Sequence, residues 1–132
     1  MPLKLTLKPN EKVLIGTAVI INAGQKSEII IQNTVPVLRE KDIITEENAD
    51  TLAKKLYYII LSMYVDQTNE NEYHKIYFKL VNELFDALPD PRNLAMVMAV
   101  SRKILEGNHY QALKECRKLI ELEAEALANA SR

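Results

Sequence analysis

Around residue 45 the hydrophobic period of this chain changes from two residues to between three and four, and few architectures accommodate both halves of such a sequence. A strand alternates its side chains between two faces, whereas a helix returns to the same face every ~3.6 residues. Leu3, Leu5 and Leu7 alternate with Lys4, Thr6 and Lys8, which puts the leucines on one face and the polar residues on the other. Pro9-Asn10 punctuates that run as a turn. Val13-Leu14-Ile15, Thr17 to Ile21 and Glu28 to Gln32 are short runs rich in β-branched residues, broken by Gly16 and by the turn cluster Asn22-Ala23-Gly24-Gln25-Lys26-Ser27. They predict strands two, three and four, with a hairpin over residues 22–27. Pro36 precedes Val37 to Lys41, read as a fifth strand that starts where a missing N–H does no harm.

After Thr45 helix formers take over. Thr45 or Asn48 is placed to cap a helix running to about Tyr64, with Leu52, Leu56, Ile59, Ile60 and Met63 on one stripe. Asn69 followed by Glu72 has a capping-box pattern and opens a second helix through Leu88, with Tyr73, Ile76, Tyr77, Leu80, Leu84 and Leu88 as its apolar face. Asp90-Pro91 supplies a cap and a first-turn proline for a third helix, Arg92 to Glu106, stopped by Gly107. Asn108 with Gln111 opens a fourth, lined by Tyr110, Leu113, Cys116, Leu119, Ile120 and Leu127, with a Glu/Ala tail that frays. The fold class expected is α+β: a small antiparallel five-stranded β unit, residues 1–44, followed by a bundle of about four helices, residues 45–132. Five strands this short bury too little on their own, so the β unit needs the helical half, a second copy of the chain, or both.

The 132 residues fit one domain, or two small units sharing a core, and not a multidomain enzyme. With 48% hydrophobic and 27% charged residues, disorder is ruled out. A single cysteine, Cys116, makes no intramolecular bridge, and a reducing cytoplasm is expected. The start MPLKLTLKPNEK has no signal-peptide pattern. The longest apolar stretch, Leu56 to Val65, includes three tyrosines and a serine and falls short of the roughly 20 residues a bilayer requires, so no membrane span is expected.

Polar groups that converge are scarce. His74 and His109 are isolated, and Cys116 has no histidine or cysteine at ligand spacing. No CxxC, HExxH, GxSxG or glycine-rich phosphate loop occurs, so neither catalysis, nor a metal, nor a cofactor is expected. His74 reads as a surface or boundary histidine, and Cys116 as a buried small apolar residue. Glu121, Glu123 and Glu125 spread around a helix as a solvated face. The six tyrosines, Tyr57, Tyr58, Tyr64, Tyr73, Tyr77 and Tyr110, all lie in the helical half at core-like spacing. They fit packing, or the lining of a groove for a partner helix alongside Met63, Met96 and Met98.

The net charge of −1 conceals a split: residues 1–44 carry +2 and residues 45–132 carry −3. Lys4 and Lys8 share strand parity, as do Arg39 and Lys41, and in the first strand that side faces away from the leucines. Were the first and last strands neighbours, these four would form one basic patch; alternatively they are edge lysines that guard a small sheet against aggregation.

The opening MPLKLTLKPNEK and the segment Val35-Pro36-Val37-Leu38-Arg39-Glu40-Lys41-Asp42-Ile43 resemble the bacterial flagellum biosynthesis repressor FlbT family, over essentially the whole chain. The resemblance implies a post-transcriptional regulator that associates with the 5′ untranslated region of flagellin messenger RNA and promotes its decay. Residues 3–16, with Asn33 and Val37-Leu38-Arg39-Glu40, are also similar to the carbon storage regulator family, strand-swapped homodimers whose first and last strands bind GGA-containing messenger loops. That similarity implies RNA-contacting roles for Lys8, Arg39 and Leu5. At Leu7 the sequence departs from the pattern, since an arginine belongs there.

The expectation is a non-catalytic RNA-binding regulator of flagellin expression, with Lys4, Leu5, Lys8, Arg39 and Lys41 as its RNA-contacting residues. The flagellin messenger leader is the expected partner and a homodimer the expected assembly, because few basic groups per chain give little electrostatic affinity. The rival is a protein-interaction module whose helical bundle holds flagellin or a flagellar assembly factor.

Overall fold

The computed structural model describes residues 2–130, and the chain divides into two compact units, one ending at Ile43 and the other beginning at Ile44. The first holds five strands in two antiparallel sheets, the second four α-helices, and the class is α+β.

In the β unit, β1 (Leu3–Leu7) pairs with β4 (Ser27–Ile31), with Leu5 opposite Ile29. The second sheet places β2 (Lys12–Ile15) between β3 (Ala18–Ile21) and β5 (Val37–Arg39). Leu5, Leu7 and Val13 form the buried centre of the β unit, between the two sheets, flanked by the partly buried Ile15, Ile29, Ile31 and Val37. Leu3, at the strand end, stays exposed.

The pairing corrects the expected hairpin over residues 22–27. β3 and β4 are not partners; the tight hairpin is β2–β3, turning through Gly16 at φ +62°, where a side chain would be strained. Residues 22–26 instead carry the chain from one sheet to the other. Asn22 stabilises that crossing, its amide donating to the carbonyls of Leu7, Lys8 and Gln25. The fifth strand is also shorter than its pattern suggested. After Arg39 the chain enters a 3-10 turn, Glu40–Asp42, closed by the Ile43 amide on the Glu40 carbonyl, so Lys41 does not share a strand face with Arg39.

In the helical unit, α1 spans Leu52–Val65, α2 Glu70–Ala87, α3 Pro91–Leu105 and α4 His109–Ala130. Packing runs α2–α1–α4–α3, and α2 and α3 touch only sparingly. Leu56, Ile60, Met63, Leu84, Val100 and Leu119 fill the interior. Burying such a side chain contributes about 1.5–3 kcal/mol, and it is this stripe that holds the helices together.

The caps refine the expected starts. Thr51, rather than Thr45 or Asn48, caps α1 by accepting the Lys54 amide; Thr45 serves a preceding turn, accepting the Asn48 amide. At α2 the Asn69/Glu72 capping box is not formed. Asp66 takes over, accepting the Thr68 amide and hydroxyl, the Asn69 amide group and the Tyr73 hydroxyl. Asp90 caps α3 through the Arg92 amide, Gly107 ends it at φ +77°, and Asn108 accepts the Gln111 amide at the start of α4. α4 continues through Ala130; the end of the expected frayed tail, residues 131–132, lies outside the described residues. No helix among the described residues is long and apolar enough to cross a membrane.

Candidate nucleic-acid interface

Phosphate recognition needs cationic donors held at a surface. In the β unit these come from β1, the turn after it, the approach to β4 and the end of β5. Arg39 is the centre. Although β5 pairs with β2 and not with β1, the Arg39 guanidinium donates through Nη1 to the Thr6 carbonyl of β1 (3.2 Å) and to Glu11 Oε2 (3.2 Å). One side chain thus links the two sheets, and its planar fork retains further donors on a group that is one-third exposed.

Glu11 is the counter-ion of this cluster. It accepts the Lys8 amide through Oε1 (2.9 Å), which with Arg39 holds its carboxyl below the ordinary range and keeps it ionised. Lys4 forms an exposed pair with Glu28 (3.0 Å). Glu28 also lines, with Thr6, Lys26 and Ser27, a shallow concavity beside β1.

The residues expected to contact RNA are therefore divided. Arg39 reaches Glu11 with its guanidinium, whereas Lys8 reaches it through its backbone amide and its side chain is exposed; Lys4 lies on the outward side of β1 in its pair with Glu28. Lys41 sits in the 3-10 turn, off the strand. Leu5, 5% exposed, belongs to the core beneath this surface. Lys26 escaped the sequence reading because it stands in a turn, and only the β1–β4 pairing brings it beside Thr6.

Cys116 is fully buried against the Ala53 carbonyl and its thiol is pushed far up by burial. His74 lies 3.6 Å from Glu70, and burial pulls His109 down, which favours its neutral form. Among the described residues no group of three His, Cys, Asp or Glu side chains is arranged to hold a metal ion. Glu123 departs from its expected solvated face: it is 4% exposed and accepts the Ala53 amide at 2.9 Å.

The profile of the family described as flagellar protein FlbT matches residues 3–127. The chain is 41% identical over 128 residues to a probable flagellum biosynthesis repressor protein FlbT of Rhodopseudomonas palustris strain TIE-1, covering 97% of this chain and 99% of that one. It is 36% identical over 131 residues to the probable repressor of Caulobacter sp. strain K31, covering 99% and 100%. It is 35% identical over 131 residues to the flagellum biosynthesis repressor protein FlbT of Caulobacter vibrioides strain ATCC 19089, covering 99% and 93%. No solved structure matches the chain.

Proposed function

The chain belongs to the FlbT family, and from that premise we propose that it represses flagellin synthesis after transcription, binding the 5′ untranslated region of flagellin messenger RNA through its β unit and promoting decay of that messenger. Its full-length relation to proteins named as flagellum biosynthesis repressors supports a regulator rather than a catalyst. The observation that carries the RNA step is the Arg39 cluster, a fork-shaped cation anchored by one carboxylate and one carbonyl, with Lys4, Lys8 and Lys26 in the same β unit. An arginine held this way is oriented before RNA arrives, so less entropy is lost when it grips a phosphate or stacks on an unpaired base.

The same geometry limits affinity. Glu11 and Glu28 are competing carboxylates, and a phosphate gains on them only where several cations act together. The working unit in this reading is a homodimer, in which two chains double the contacts. β3 supports it: its outer edge is unpaired and its four residues, Ala18 to Ile21, are exposed. Decay itself falls to cellular ribonucleases acting on a leader whose structure the bound protein has altered, in the cytoplasm where messenger is found.

The test is titration of the purified chain into a labelled flagellin leader at moderate salt. Lys8→Ala with Lys26→Ala removes two exposed cations and weakens binding about tenfold or more, and Arg39→Lys, which keeps the charge and loses the fork, weakens it as well. Unchanged affinity in both variants would move the RNA surface away from the β unit. Absence of wild-type binding beside a stable flagellin complex would favour the interaction-module rival.

A further inference from the structure

α2 and α3 carry more exposed apolar surface than a solvated helix pair needs. On α3, Leu94, Met98 and Leu105 follow one another at helical spacing on one stripe, with Met98 57% and Leu105 83% exposed. On α2, Phe78, 59% exposed, and Phe85 lie seven residues apart, on one face. The two stripes border the same seam. The Tyr77 hydroxyl and Ser101 Oγ are 2.7 Å apart, bridging the helices beside Phe78 and Met98. At the far end Phe85 and Leu94 line one open concavity of about 330 Å³ with the connecting Pro89–Pro91 segment. Because α2 and α3 touch so little, the seam is left as a groove with an apolar lining.

Two cations stand at the level of that bridge. Lys79 follows Phe78 and Arg102 follows Ser101, so both cations stand at the level of the Tyr77–Ser101 bridge, one on each helix, and neither has an ion-pair partner among the described residues. Asp86 is the acid further along α2, next to Phe85. Unpaired cations beside exposed aromatic and methionine side chains select an occupant with an apolar face and acidic flanks.

We propose that the α2–α3 groove docks an amphipathic α-helix of a partner protein, its apolar stripe against Phe78, Phe85, Leu94, Met98 and Leu105 and an acidic side chain between Lys79 and Arg102. Leu94 to Leu105 gives a ridge about 16 Å long, equal to three turns of an incoming helix, which matches the length over which such helices are commonly anchored. The surface lies wholly in the helical unit and is independent of the RNA-binding reading of the β unit.

The experiment uses the full chain and two fluorescent 18-residue amphipathic peptides that share one leucine stripe, one flanked by glutamates and the other by lysines. The glutamate peptide binds the chain; Met98→Glu, at an exposed position that leaves the fold intact, weakens it about tenfold or more. Lys79→Glu with Arg102→Glu reverses the preference towards the lysine peptide. Equal binding of both peptides by the wild type, or insensitivity to Met98→Glu, overturns the proposal. So does sedimentation showing that the chain self-associates through this face and that Met98→Glu abolishes it, since a second copy is then the occupant. Leader binding measured on the same variants separates the two surfaces: with the RNA site in the β unit it stays unchanged in Met98→Glu, whereas loss of leader binding in Met98→Glu would make this face an RNA surface and overturn the proposal.

Discussion

Glu123 accepts the Ala53 amide across 70 residues of sequence, joining α4 to the first turn of α1. That turn contains no acidic residue of its own, so the carboxylate supplies both an acceptor and negative charge where the helix presents free N–H groups. Removing it leaves a buried donor without its acceptor. Glu123→Ala is expected to destabilise the helical unit by about 2 kcal/mol, and Glu123→Gln, which keeps an acceptor oxygen, by clearly less. Urea titrations of the three proteins measure both. Arg39 is the same kind of residue in the β unit, a charged group whose partners come from a different sheet. Neither role is visible in local spacing: residues 121, 123 and 125 look equivalent on a helix wheel, and nothing near Arg39 in sequence points to Thr6 or Glu11. Long-range partners are set by packing, which periodicity does not encode.

The elements themselves were more legible than their ends or their pairing. Leu3, Leu5 and Leu7 announced β1, and Asp90-Pro91, Gly107 and Asn108 marked the limits of α3 and α4, because those signals act through the backbone of the same segment. Residues 22–27 hold no hairpin, because a turn-rich stretch signals a change of direction without saying which strands meet across it. The start of α2 shows a similar competition. Asn69 had the right spacing from Glu72, yet Asp66 gathers four donors from Thr68, Asn69 and Tyr73 and displaces that cap. The Thr68 hydroxyl first, then the Tyr73 hydroxyl and the Thr68 amide, bring the Asp66 carboxyl down to about 2 from an ordinary 3.8. A depressed carboxyl contributes stability that is complete above its unfolded value and is lost as pH falls through the folded one. The melting temperature of the wild type is therefore expected to exceed that of Asp66→Ala near neutral pH, with the gap closing between about pH 4 and about pH 2. A gap that is constant over that interval would show that the carboxylate form is not what holds the start of α2.

For the whole molecule, the near-neutral charge is the sum of a mildly basic β unit and an acidic helical unit, and the two carry different surfaces. The β unit offers cations around Arg39; the helical unit offers exposed apolar stripes on α2 and α3. The basic patch was only partly legible. β1 and β5 are not paired, and Arg39 reaches β1 only through its side chain; Lys8 meets Glu11 by its backbone amide, Lys41 leaves the strand, Leu5 is core, and Glu11 and Glu28 stand among the cations. In the proposed reading, binding is weak per chain, local, and sensitive to ions. The direct test is the dependence of leader affinity on salt for the full chain. With Lys4, Lys8, Lys26 and Arg39 each displacing counterions from single-stranded RNA, the logarithm of affinity should fall against the logarithm of salt with a slope of about −3 per chain, reduced by about 0.7 in Lys8→Ala. A slope near zero, or one that Lys8→Ala leaves unchanged, would contradict an RNA interface centred on Arg39.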